Sequence, residues 1–225
     1  MSAEVAWLVA RAGGLVAYGL LTATVVLGIV HSSRRLSSLP RFAVEDLHRF
    51  LSILTALFLG LHGVGLLLDD VVPFTLSQLV VPFTADVAPL WTGLGVVAAE
   101  LLLALALTNR LRNRLRHRTW RRLHAMAFPV WGLATLHGLL AGTDSDQWWA
   151  MALYAYASAL TIGLLAWRVF AARTQDGGVA AGALAGFTAA LVAVTLAVAP
   201  LVLERGEDAA AADPRAGKVT TQAGS

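Results

Sequence analysis

Charge is scarce in this chain of 225 residues: only 14% are Asp, Glu, Lys or Arg, against roughly 25% in a soluble domain. Cysteine is absent altogether. The first shortage, together with 57% hydrophobic residues and a mean hydropathy of +0.68, excludes a disordered chain and an ordinary soluble enzyme. The second excludes disulfide scaffolds, thiolate zinc sites, iron–sulfur clusters and haem attached covalently through C-x-x-C-H. Any metal chemistry rests on the six histidines and fourteen carboxylates. The net charge of +3 and pI near 9.9 look like a nucleic-acid signal, but the positive residues sit in loops between apolar runs. They read as topology determinants, and no nucleic-acid partner is expected.

What the chain has in quantity is long apolar stretches. A bilayer core of about 30 Å takes around 20 helical residues. Six segments qualify, at roughly 12–31, 47–68, 88–108, 120–141, 148–170 and 179–203. The expected fold is all-α: a polytopic bundle of six transmembrane helices over residues 1–203, followed by a disordered tail, 204–225, rich in Ala, Asp, Gly and Thr. Met1–Glu4 lacks a basic n-region, so the first run reads as a span and not as a signal peptide.

Positive charge then orients the spans. Twelve of seventeen positive residues lie in the loops after spans 1, 3 and 5, seven of them arginines within 110–122. The loops after spans 2 and 4 hold Asp69, Asp70, Asp86, Asp144 and Asp146, with no Lys or Arg. The positive-inside rule places the Arg-rich loops in the cytoplasm and both termini outside, in a multi-pass protein of the cell membrane. The connection 69–87 repeats Val-Val-Pro-Phe-Thr at 71–75 and 80–84. Apolar yet twice broken by proline, it reads as a short helix in the outer interface or as a hydrophobic loop packed on the bundle. Gly178, Gly182 and Gly186 form a small-residue ridge on the sixth span, a helix-packing face or a subunit contact.

Four of the six histidines fall inside two spans: His48 and His62 in span 2, His124 and His137 in span 4. Both spans run outward, so His48 and His124 lie near the inner face and His62 and His137 near the outer. Their separations of 14 and 13 residues amount to about 21 and 20 Å of helix. Matched depths on parallel helices give two stacked pairs of imidazoles, an arrangement suited to axial ligation of haem iron. A zinc or proton-relay site is the alternative. His31 and His117 sit at the cytoplasmic edge and read as interfacial or loop residues.

Helical phase supports one pair more than the other. Fourteen residues fall about 40° short of four turns, so His48 and His62 share a face. Thirteen fall about 140° short, which turns His137 away from His124 unless a kink intervenes. Pro129 lies between them and removes the hydrogen bond to the Ala125 carbonyl. Gly60, Gly63 and Gly65 flank His62, and Gly132 and Gly138 flank His137. Small residues there leave room for a flat macrocycle, or serve ordinary helix packing.

His48-x13-His62 together with Trp120-x-x-Leu123-His124-x12-His137 resembles the ferric reductase-like transmembrane domain family, over roughly residues 12–170. That family includes NADPH oxidases, ferric-chelate reductases and the haem subunit of the methionine-sulfoxide reductase system. The basic loop before Trp120, His-Gly at 62–63 and 137–138, Pro89–Gly95 and Ala141–Asp144 add to the likeness. The resemblance implies two non-covalent b haems between spans 2 and 4. His48 and His124 would hold the inner iron, and His62 and His137 the outer. Those family members that oxidise NAD(P)H continue into a cytoplasmic flavin and nicotinamide module. Here a sixth span follows Arg168–Gly178 and no Gly-rich phosphate loop occurs, so no flavin or NAD(P) site is expected.

Several weaker signals surround this core. Arg41, Arg49, Arg121 and Arg122 are placed to pair with inner propionates, or with lipid headgroups. Trp91, Trp148 and Trp149 could meet outer propionates, or form an interfacial belt. Glu100 reads as buried in mid-span, as a neutral hydrogen-bonded acid or as a group that passes protons or binds a quinol. The function this implies is that of an oxidoreductase component, ferric reductase-like. It would move electrons from a separate cytoplasmic-side flavoprotein or quinol to an external acceptor: a ferric chelate, dioxygen or a periplasmic reductase subunit. A haem subunit of the methionine-sulfoxide reductase type is the nearest alternative. A haem sensor or carrier, or a histidine-lined metal transporter, is the non-enzyme one.

Overall fold

A computed structural model describes residues 3–32 and 40–171. Among these residues every regular element is helical. Helix α1 runs Ala3–Ser32, α2 Arg41–Leu67, α3 Leu76–Val80, α4 Pro89–Arg110, α5 His117–His124, α6 Ala127–Ala141 and α7 Trp148–Ala171, with a 3-10 turn at Arg112–Arg114. Five stretches are long and apolar enough to cross a membrane: Glu4–Ser32, Arg41–Leu67, Pro89–Arg110, His117–Ala141 and Trp148–Arg168. Each overlaps one of the first five expected spans, although α1 begins at Ala3, before the expected start at 12. Helix α2 starts at Arg41, before its apolar run, because the Pro40 carbonyl accepts hydrogen bonds from the Ala43 and Val44 amides and so begins the first turn. The sixth expected span at 179–203, its glycine ridge and the tail 204–225 lie outside the described residues.

The interior is rich in small and hydroxylated side chains, and the exterior carries many large apolar ones. Ala6, Ala10, Ala17, Ala98, Ala150 and Ala157 are buried, as are Thr55, Thr92, Thr135 and Thr161. Leu47, Phe50, Ile53, Leu57, Leu61 and Val64 are exposed along α2 at helical spacing. Such a surface would drive aggregation in water. It suits hydrocarbon, where close backbone approach and satisfied hydroxyls hold helices together. Several hydroxyls are satisfied locally: Thr24 Oγ1 donates to the Leu20 carbonyl at 2.7 Å and Thr135 Oγ1 to the Trp131 carbonyl at 2.8 Å.

The chain divides into two compact units. The first comprises Met1–Tyr18 and Thr55–Gly142, so it takes the first half of α1, the second half of α2, and α3 to α6. Its core includes Ala10, Gly13, Tyr18, Gly65, Val96, Val130 and Trp131. Tyr18 Oη and Thr135 Oγ1 share a buried hydrogen bond of 3.1 Å, joining α1 to α6. The second unit comprises Gly19–Leu54 and Thr143–Ser225. Within its described residues, Leu21, Val25 and Ile29 of α1, Val44 of α2, and Ala150, Tyr154, Ala157 and Thr161 of α7 are buried. At its surface Arg168 hydrogen-bonds Ser32, and His31 lies 4.0 Å from Glu45.

Two local features belong to the first unit. The connection after α2 holds a short helix, α3, within the 69–87 stretch. Thr75 caps α3, accepting from the Gln78 amide while Gln78 Oε1 accepts from the Thr75 amide, a reciprocal capping box. Asp69 is buried and accepts from the Val71 amide at 3.0 Å, closing the turn that leaves α2. The fourth span is interrupted. Met126 donates to the Leu123 carbonyl and Phe128 to the Ala125 carbonyl, both three residues back. Pro129 has no amide to reach Ala125, so the Phe128 amide takes that carbonyl and the helix restarts at Ala127.

Candidate histidine pair

Two of the four expected ligands come together in the first unit. The His62 ring on α2 and the His137 ring on α6 have centroids 6.4 Å apart and planes inclined at 72°. Each ring is held by a different neighbouring helix. His62 Nδ1 lies 2.7 Å from the Ala10 carbonyl of α1. His137 Nδ1 lies 2.9 Å from the Trp91 carbonyl of α4. A carbonyl only accepts, so Nδ1 carries the proton in both rings and both Nε2 atoms keep their lone pairs. This is the tautomer that a metal-binding imidazole with a fixed orientation requires.

Glycine makes both hydrogen bonds sterically possible. A Cβ on Gly14 would lie 3.0 Å from His62 Nδ1, and one on Gly95 would lie 2.6 Å from His137 Nδ1. A Cβ on Gly13 would lie 2.9 Å from the His62 backbone nitrogen. The critical glycines are therefore on α1 and α4, opposite the histidines. Of those beside the histidines, Gly60, Gly63 and Gly132 border open space, since a Cβ there would meet nothing within 4 Å. Gly65 serves close packing against Ala10. The sequence singled out Gly60 to Gly65 and Gly132 by proximity along the chain. Gly14 was missed and Gly95 entered only within the Pro89–Gly95 likeness, although both lie in Gly-rich stretches of spans at the expected outer depth.

The other two histidines are placed separately. His124 ends α5 in the first unit, and His48 lies on the part of α2 in the second unit, where a Cβ on Gly28 would sit 3.4 Å from its Cε1. Each is half-buried. His124 stacks on Trp120, with ring centroids 5.1 Å apart and planes within 15°. Arg41 and Arg49 on α2, and Arg121 and Arg122 on α5, are exposed. Trp148 is 80% exposed, and Trp91 contributes its carbonyl to the pair. Glu100 departs from expectation. It is exposed on α4, one turn before the exposed Leu103, because α4 is covered towards its N-terminal half, at Thr92, Gly93, Val96 and Ala98.

The donor set restricts what the pair could hold. No group of three or more His, Cys, Asp or Glu that could bind a metal occurs among the described residues. A metal that takes all its ligands from side chains needs three or four. Two opposed imidazoles suit a metal that brings its own equatorial ligands, as porphyrin iron does. With metal–nitrogen bonds of about 2 Å on opposite sides of one ion, ring centroids would stand about 6 Å apart, close to the 6.4 Å of this pair.

The family described as a domain of unknown function (DUF8596) matches residues 5–144, a stretch that contains all four span histidines and α2 to α6 in full. No curated protein and no solved structure matches the chain.

Proposed function

The chain belongs to the family described as a domain of unknown function (DUF8596), and from its own residues we propose that it is a membrane cytochrome b carrying electrons across the bilayer. The observation that carries the reading is the His62–His137 pair, with both Nδ1 atoms committed to carbonyls and both Nε2 atoms available at a 6.4 Å ring separation. A non-covalent haem b bound there would supply a one-electron iron couple. In this reading His62 and His137 would hold the iron of an outer haem, and the sequence motif would assign His48 and His124 to an inner one, with Arg49, Arg121 and Arg122 as candidates for its propionates. Residues 179–203 complete six spans, and the Arg-rich 110–122 segment faces the cytoplasm.

A haem held between two such histidines would supply one-electron transfer, and the chain's own residues would orient and bury it. The donor is a separate flavoprotein or quinol; the acceptor is a ferric chelate, dioxygen or a periplasmic reductase subunit. Likeness to the ferric reductase-like motif, His48-x13-His62 with His124-x12-His137, supports this direction. A reduced-minus-oxidised spectrum of detergent-purified protein, with a pyridine haemochrome count, tests it. Two low-spin b haems per chain are expected. A protein expressed with ample haem that binds none would overturn the reading.

A further inference from the structure

The cytoplasmic end of α4 and α5 contains a donor without an acceptor. Trp120 Nε1 is buried and has no hydrogen-bond partner among the described residues. A buried indole N–H left unpaired costs about 1–3 kcal/mol, so a structure that keeps one points to an acceptor supplied from outside the protein. The surroundings state its charge. Residues 101–143 contain seven arginines and no Asp or Glu. The Arg112 guanidinium lies over the Trp120 ring, 5.6 Å from its centroid. The exposed arginines of this segment form no ion pair among the described residues. The indole plane is itself fixed, since His117 and His124 lie against it at 5.8 and 5.1 Å. A fixed donor inside a field of unneutralised guanidinium groups is complementary to an anion with oxygen acceptors.

We infer that Trp120 and Arg112 form an oxyanion site, with the indole N–H donating to a carboxylate or phosphate oxygen and the guanidinium balancing its charge. Two sources share that chemistry. One is a propionate of the porphyrin proposed at His124, four residues away on the same helix; that source rests on the cytochrome reading. The other is the phosphate of an anionic lipid headgroup, which does not. The arginines around the site repel a cationic ligand.

The test compares full-length wild type with Trp120→Phe, which keeps a ring in the stack and removes the donor. Arg112→Gln, on the exposed 3-10 turn, serves as a second variant that leaves the buried ring untouched. Haem-stripped protein is titrated with haemin, with haemin dimethyl ester and with inorganic phosphate. If the anion is a propionate, both variants weaken haemin by about tenfold at one site and leave the ester unchanged, and the midpoint potential of that haem shifts. If it is a phosphate, both weaken inorganic phosphate by a similar factor and leave haemin unchanged. Wild-type protein that binds no haemin removes the propionate source, and the phosphate titration then decides the site alone. Variants that match wild type in all three titrations overturn the site.

Discussion

An imidazole that donates through Nδ1 to a carbonyl is confined to one tautomer and one ring orientation, and both His62 and His137 are so confined. In the proposed cytochrome, replacing either by alanine would remove one of the two residues that hold the iron. His62→Ala and His137→Ala are each expected to lower the haemochrome count from two to about one, and to convert the outer signal to high-spin before the haem is lost. Gly95 gives a sharper test, because the imidazole itself stays. A Cβ at that position would stand 2.6 Å from His137 Nδ1, closer than side chains tolerate. Gly95→Ala is expected to weaken outer haem binding by about tenfold, the range for a lost orienting contact. Gly60→Ala, where a Cβ meets nothing within 4 Å, should bind as wild type. Equal loss in both variants, read by haemin titration, would contradict the packing described. Tyr18→Phe removes the buried bond to Thr135 and should cost about 1 kcal/mol, measured as reduced thermal stability in detergent.

At the scale of elements, the interruption between α5 and α6 replaces α-helical bonds by bonds to the third residue back. Such turns wind at about three residues per turn. The extra rotation acts to reduce the 140° by which thirteen ordinary helical residues would misalign His137 with His124. Pro129→Ala restores an amide that can bond the Ala125 carbonyl and should allow a continuous helix. The expected outcome is a shift in the spectrum of one haem or its loss, with helical content by circular dichroism held or slightly raised. The proline was legible in the sequence, and so was the need for a kink; the position of the break, at Ala125–Met126, was not. Span positions were legible from length and hydropathy. The early start of α2 was not, because Arg41, Glu45 and Asp46 interrupt the apolar signal of Phe42, Ala43 and Val44. For the pair, the two histidines were legible and their acceptors were not. Ala10 and Trp91 act through main-chain oxygens, which every residue has.

At the scale of the whole molecule, five described helices are long and apolar enough to cross a membrane, and the direction in which they cross is a direct measurement. The chain holds no cysteine, so single-cysteine variants need no background removed. Asn113→Cys, among the arginines after α4, should be protected from an impermeant thiol reagent in intact cells and labelled after lysis. Asp86→Cys and Asp146→Cys should be labelled without lysis. The opposite pattern would invert the topology and place the Trp120 segment outside. The main-chain acceptors also bear on how this molecule can change over generations. A substitution at position 10 or 91 alters a side chain and leaves the oxygen that holds the imidazole in place. Drift at those two sites is therefore tolerated wherever the new side chain fits, while Gly14 and Gly95 are constrained by atoms they do not have. Lineages that keep this pair should diverge more freely at Trp91 than at Ala10, which is buried against Gly65.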